Sequence, residues 1–164
     1  NEIVGLAQRI DKAWANIDVA LRQRYDELPN LVAAVRGLMG FEQQVLEDVT
    51  RARAAYRPDA PIPEQGAVSA RTTGAVQSLL MTVERYPDLT AHQNVISLQA
   101  EIARLEGLIA ARRELYNDMV FRYDARLQQV PAVLLAALFG WRPRPYFTAD
   151  RAATANPDTR LTGG

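Results

Sequence analysis

Apolar residues recur every three or four positions along most of this chain, which is the spacing of one face of an α-helix. The first such stripe covers Ile3–Leu28, and a second covers Leu31–Tyr56. A third apolar face lies within Val76–Val83, and the longest stripe covers Val95–Val130. No segment shows the alternating pattern of a strand. The pattern therefore predicts an all-α fold built from four main helices.

Proline and glycine positions separate these stripes. Pro29 follows the first stripe, where it removes an amide donor and disfavours helical geometry in the residue before it, yet it suits a first helical turn. We therefore predict a chain reversal here, with Asp26 as the N-cap of the second helix and two antiparallel helices of similar length. The alternative, one helix kinked at Pro29, would be about 80 Å long and could not bury its face. Residues 57–67 contain three prolines and a glycine and are predicted to form a loop.

The C-terminal part of the chain has a different pattern. Pro131 ends the fourth stripe, and the sequence AVLLAALFGW that follows predicts a short apolar helix. The sequence RPRPYF predicts an extended segment, and residues 148–164 are predicted to be disordered. The economical architecture is an antiparallel four-helix bundle over residues 1–147, with a short extra C-terminal helix and an extended tail.

Composition narrows the possible chemistry. The 164 residues suffice for one domain, and 19 basic residues balance 19 acidic ones, so we expect no nucleic-acid binding. There is no cysteine, and His92 is the only histidine, so thiolate metal sites and the common histidine-based nucleophile pairs lack their residues. The scattered glycines form no phosphate-binding loop. We therefore expect no metal, no cofactor and no catalytic residue.

Four segments, in this order, resemble the LemA family of bacterial membrane-anchored proteins: AWANIDVALRQRYDELPNLV, FEQQVLEDVTRAR, VERYPDLTAHQNVISLQAEIARLEGLIAARRELYNDMV and FGWRPRPYF. The resemblance extends from about residue 1 to Phe147, and Glu27 and Phe41 depart from the family's pattern. It implies a helical-bundle domain held in the cell membrane by a single transmembrane helix upstream of Asn1. It also implies no established catalytic activity, and a role in membrane-associated scaffolding. The side of the membrane and the protein partners stay open.

Charged and polar residues on or beside the apolar stripes form one candidate site. An unpaired buried charge costs several kcal/mol, so we expect pairs across helices, with Arg113 bonding to one of three glutamates. The favoured interpretation is a structural network that fixes the helix register. The alternative is a ligand-binding or hydrolytic site built on those glutamates, Glu42, Glu84 and Glu106. The predicted network comprises Arg24, Asn30, Glu42, Glu84, Glu106, Arg113, Tyr116 and Asn117.

Apolar, aromatic and arginine residues near the C-terminus form a second candidate surface. Their combination is typical of a membrane interface. The favoured interpretation is nevertheless that they fold back over one end of the bundle, and the alternative is contact with a membrane or a partner. Together these features predict a non-catalytic scaffold or interaction module near a membrane, with self-association as a further alternative. The residues of this surface are Leu134, Leu138, Phe139, Trp141, Arg142, Arg144, Tyr146 and Phe147.

Overall fold

The chain folds into helices throughout. The computed structural model describes residues 1–37, 42–129 and 131–149, and within them there are six helices and no strand. The predicted all-α class is therefore confirmed. The helices are α1 (Glu2–Arg36), α2 (Gln43–Ala54), α3 (Ile62–Val83), α4 (Pro87–Thr90), α5 (Gln93–Leu127) and α6 (Ala132–Phe139). Among the described residues, no helix combines the length and the apolar character needed to cross a membrane.

Helices α1 and α5 form the long axis of the molecule. Each has 35 residues, or about 52 Å at 1.5 Å per residue. They run antiparallel, because Arg126 near the end of α5 pairs with Glu2 at the start of α1 at 2.8 Å. Further along, Arg112 donates a hydrogen bond of 2.7 Å to the carbonyl of Asn16. Each helix buries its apolar stripe against the other, as the periodicity predicts.

Different partners cover the two halves of this pair. The second half of α1 packs against α2, α3 and the beginning of α5, around a core of aliphatic side chains that includes Leu31, Val35, Val76, Leu79 and Ile102. The first half of α1 packs against the second half of α5. That half is covered by an extended segment, residues 141–148, which we call the C-terminal strap.

Helix α1 passes straight through Pro29, so the predicted chain reversal at this position is wrong. Asp26 is an exposed residue inside α1 and not an N-cap. The proline leaves the carbonyl of Tyr25 without its helical amide partner, and Arg53 of α2 supplies the missing donor with a bond of 2.8 Å from Nε. The Arg53 guanidinium also lies 3.8 Å from the centre of the Tyr25 ring. A residue distant in sequence therefore makes the proline tolerable.

With α1 continuing past Pro29, the boundaries of the other helices agree with the prediction only in part. The chain reverses after Arg36, so α2 is much shorter than α1, and the predicted pair of equal helices is replaced by the α1–α5 pair. Helix α3 begins at Ile62, inside the predicted loop, because a proline is compatible with the first helical turn. Helix α5 matches its predicted stripe and ends at Leu127, before Pro131. The part of the predicted disordered tail beyond residue 149 lies outside the described residues.

Candidate functional site

An arginine of α1 lies inside the bundle and bonds to two other helices. Arg24 is only 4% exposed. Its Nη1 donates to Glu106 Oε1 of α5 at 3.0 Å and to Thr73 Oγ1 of α3 at 2.9 Å, and its Nη2 donates to Ser69 Oγ at 2.9 Å. The Thr73 hydroxyl donates in turn to Glu106 Oε2 at 2.7 Å. We name these four residues the buried ionic cluster.

Helical geometry explains how the buried ionic cluster assembles. Ser69 and Thr73 are one turn apart on α3, so their hydroxyls point to the same side. Arg24 lies on the core-facing stripe of α1, and the Glu106 side chain, 16% exposed, lies at the edge of the α5 core. A buried charge that loses its partner is strongly destabilising. The cluster therefore links α1, α3 and α5 through side-chain bonds.

A small cavity lies beside the cluster. Arg24, Tyr56 and Gln65 are among the residues that line it, and they enclose about 10 Å³, which is room for about one water molecule. The Gln65 amide nitrogen donates to two carbonyls of the loop before α3, whereas its Oε1 has no hydrogen-bond partner among the described residues. Burial raises the pKa of the Tyr56 hydroxyl and keeps it neutral. The cavity is too small for an organic substrate.

Two neighbouring residues of α5 bind the C-terminal strap. Tyr116 is fully buried and donates from its hydroxyl to the carbonyl of Pro145 at 2.8 Å. Asn117 makes a reciprocal pair with Phe147, donating to its carbonyl at 3.0 Å and accepting from its amide at 2.9 Å. Burial raises the pKa of Tyr116 to about 12, which favours the neutral phenol that donates this bond. These bonds replace the backbone partners that an extended segment otherwise lacks.

The strap also contacts α1 and α3. The backbone amide of Arg144 donates to Asp124 Oδ1 at 3.1 Å. The Nη1 atom of the Arg144 side chain donates to Asp11 Oδ1 of α1 at 2.8 Å. Burial raises the pKa of Asp124, and the bond from the Arg144 amide opposes that change. A Cβ atom at Gly66 of α3 would lie 2.5 Å from the carbonyl oxygen of Thr148, so the strap crosses α3 where only glycine leaves room.

A comparison with models of protein families shows which family this chain belongs to. The model of the LemA family matches residues 13–160, which include the buried ionic cluster and the whole strap. The chain belongs to the LemA family. The membership inferred from the four sequence segments is thereby confirmed. Among curated proteins, no match to this LemA chain is found.

The residues of the predicted polar network lie in several separate places in this LemA fold. Arg24 and Glu106 belong to the buried ionic cluster, while Tyr116 and Asn117 bind the strap. Glu42 accepts a bond of 3.2 Å from the Tyr86 hydroxyl. Three others are exposed, and of these Asn30 bonds to the neighbouring Glu27. The exposed residues are Asn30, Glu84 and Arg113.

This placement changes the expected pairing. Glu106 bonds to Arg24, and Arg113 points to solvent from two turns further along α5. The alternative site required Glu42, Glu84 and Glu106 to lie together, but Glu42 bonds to Tyr86 and Glu84 is exposed. Within the described residues, no three His, Cys, Asp or Glu side chains are grouped so that they could hold a metal ion. Among the described residues, Glu42, Glu84 and Glu106 therefore do not form the single carboxylate site that the alternative required.

The C-terminal surface divides into a buried part and an exposed part. Phe147 of the strap is 1% exposed and packs on Trp14 with ring centres 5.7 Å apart, while Trp141, Arg144 and Tyr146 are half-buried and Arg142 is exposed. Helix α6 has no buried residue. The expectation that its residues cover the bundle end is wrong for Leu134, Leu138 and Phe139, which are 69%, 76% and 62% exposed. The strap covers the core in their place.

Sequence reasoning missed the hydroxyl partners of Arg24. Ser69 and Thr73 lie between the predicted loop and the third apolar face, so the apolar periodicity assigned neither of them to a helix face. Their spacing of four residues was the available signal, because hydroxyls one turn apart mark a polar line on a helix. Arg53, which bonds to the carbonyl freed by Pro29, had no local signal at all.

Proposed function

We propose that this LemA chain is a non-catalytic, membrane-associated scaffold that contacts protein partners through the outer faces of its long helices. The proposal rests on the hydrogen bonding of the buried ionic cluster and on the small size of the cavity beside it. Every charged group of the buried ionic cluster is bonded to another side chain, and the adjacent cavity has room for about one water molecule. The LemA family is not known as a family of enzymes. Because the cavity beside the cluster is too small for an organic substrate, we place the proposed contacts on the outer surface.

A groove on the outer surface of the α1–α5 pair supports this proposal. A groove of about 480 Å³ lies between the beginning of α1 and the end of α5. Its walls include Leu6 and the ring of Phe121, which is 64% exposed, and its rim includes Arg9 and Arg122. An exposed aromatic ring beside arginines is typical of the residues that contribute most to protein–protein binding. We take this groove as the first face on which a partner would dock.

Membrane association is supported by family membership. In this proposal the protein is held in the cell membrane by one N-terminal helix, as the family resemblance implies, so that the bundle is presented close to the bilayer. The partner is a membrane-associated protein or a second copy of this chain. Because the contact faces lie on rigid helices, binding would require little rearrangement of the bundle.

Site-specific photo-crosslinking in cells tests the proposal. A crosslinking amino acid replaces Phe121 in the groove, and the same replacement at Glu101, a partly exposed position near the other end of α5, serves as the control. Discrete crosslinked species from the membrane fraction at position 121, absent at position 101, are expected. A product of twice the protein's mass would identify a second copy as the partner. Equal, featureless labelling at both positions, or recovery of the protein outside the membrane fraction, would contradict the proposal.

A further inference from the structure

Helix α6 exposes an apolar surface that no other described part of the chain covers. All eight of its residues, Ala132–Phe139, are apolar. Ala132 and Ala136 contact the core, whereas Leu134 and Leu138 are 69% and 76% exposed. Apolar groups exposed side by side in water are unusual on a soluble surface and mark contact sites. The question is which kind of surface α6 contacts.

The distribution of apolar residues around α6 favours lipid over protein. At 100° per residue, the exposed residues from Val133 to Phe139 spread over about two thirds of the helix circumference. A protein groove buries one stripe of a docked helix and would leave most of this surface in water. The acyl–headgroup region of a bilayer surrounds an embedded helix on several sides. With eight residues α6 is far shorter than the roughly 20 that span a bilayer, so it would lie in the interface.

The residues that follow α6 fit the same environment. Trp141 stacks on Phe139 with ring centres 5.3 Å apart, and Tyr146 is half-buried in the strap. Tryptophan, tyrosine and arginine are the residues enriched at membrane–water interfaces. Between residues 127 and 149 the chain carries two arginines and no acidic residue. Arg144 is already paired with Asp11, which leaves Arg142, an exposed residue, to face lipid phosphates.

We propose that α6 and Trp141 insert into the headgroup region of an anionic bilayer and form a direct lipid contact of the bundle domain. Hydrophobic insertion supplies most of the binding. A single available arginine adds a preference of about fivefold for anionic over neutral vesicles. This contact is independent of the proposed scaffold role, because a domain that binds lipid need not bind a protein partner.

Vesicle flotation of the full 164-residue chain tests the proposal. The probes are vesicles of phosphatidylcholine alone and of phosphatidylcholine with phosphatidylglycerol. The wild-type chain is expected to float with both and better with the anionic vesicles. The variant Leu134→Glu/Leu138→Glu should bind vesicles at least about tenfold more weakly than the wild-type chain. Its matched control is Met81→Glu/Leu115→Glu, which changes two apolar residues of other helices that are 61% and 51% exposed and should float like wild type.

Tryptophan fluorescence gives a second readout that does not depend on affinity. Lipids brominated on their acyl chains should quench Trp141 when the chain binds vesicles. The variant Trp141→Phe retains Trp14, which packs against Tyr116 and Phe147, and its emission should not be quenched. Circular dichroism of the α6 variant should match wild type, because the substituted side chains lie outside the core.

Several outcomes would overturn the proposal. Wild-type flotation that is lost equally in both double variants would mean that binding is not specific to α6. No flotation of the wild-type chain, together with a concentration-dependent mass that the α6 variant abolishes, would assign this surface to a second copy of the chain. Crosslinking at position 121 without any flotation would keep the scaffold role and remove the lipid contact.

Discussion

Breaking the buried ionic cluster should show how much of the fold depends on it. The Arg24 side chain is 5% exposed and that of Glu106 is 16% exposed. Removing one member of a buried ion pair typically costs about 3–5 kcal/mol, because the remaining charge stays buried without its partner. Glu106→Leu strands the more deeply buried arginine, so it should lie near the upper end of this range. Arg24→Met should lie near the lower end, because Glu106 keeps its bond from Thr73 and is partly hydrated.

The double variant Arg24→Met/Glu106→Leu separates the pair from its burial. Replacing a whole buried pair with apolar residues of similar volume is often close to neutral. We therefore expect the double variant to lie within about 2 kcal/mol of wild type, although the two single changes together should cost about 8 kcal/mol. This corresponds to a coupling energy between the two positions of about 6 kcal/mol. The assay is urea denaturation followed by circular dichroism, with unchanged denaturant slopes as the check that only stability changed.

A surface ion pair on the same helix provides the control. Arg104 contacts Glu101 at 2.7 Å, but the two side chains are 54% and 38% exposed. Exposed pairs contribute about 0–1 kcal/mol, so Arg104→Met should have little effect despite the shorter distance. If Arg24→Met cost no more than Arg104→Met, or if the double variant cost the sum of the two single changes, the argument that burial makes the cluster a unit would be refuted.

Three further predictions concern the strap and the proline of α1. Gly66→Ala should destabilise the fold by about 1–3 kcal/mol in chemical unfolding, because its methyl group meets the strap backbone. Gly74→Ala in the same helix has free space and should be neutral or stabilising by up to about 1 kcal/mol. Wild-type stability should fall as the pH rises from about 10 towards about 12, because the buried Tyr116 hydroxyl then loses a proton more readily in the unfolded state. Tyr116→Phe should lack this part of the alkaline loss, and an identical pH profile would contradict the assignment. Arg53→Met should cost about 1 kcal/mol in wild type and clearly less in a Pro29→Ala background, where the freed carbonyl regains an amide donor. Equal costs in both backgrounds would refute that role.

The long stripes made α1 and α5 predictable in type, and α5 also in extent. The position of the reversal was not predictable from local signals. A proline inside a helix removes one hydrogen bond and its ring crowds the carbonyl four residues before it, and here a distant residue supplies a donor to that carbonyl. Arg53, which satisfies it, is 28 residues from Tyr25 in sequence. The ion-pair partner of each charged residue could not be predicted from local spacing either. Glu106 and Arg113 share a helix face by spacing, but spacing does not say which residues of α1 and α3 lie opposite each of them.

The exposed position of α6 follows from how tightly the strap is held. Asn117 and Asp124 bond the strap to α5, Asp11 bonds it to α1, and the backbone crosses α3 at Gly66. The strap therefore occupies the place over the core that α6 would otherwise fill. Helix α6 lies between α5 and this segment, and Gly140, with a φ of 70°, joins it to the strap. The apolar side chains of α6 therefore stay exposed to water, which is unfavourable, and the lipid contact that we propose would bury them.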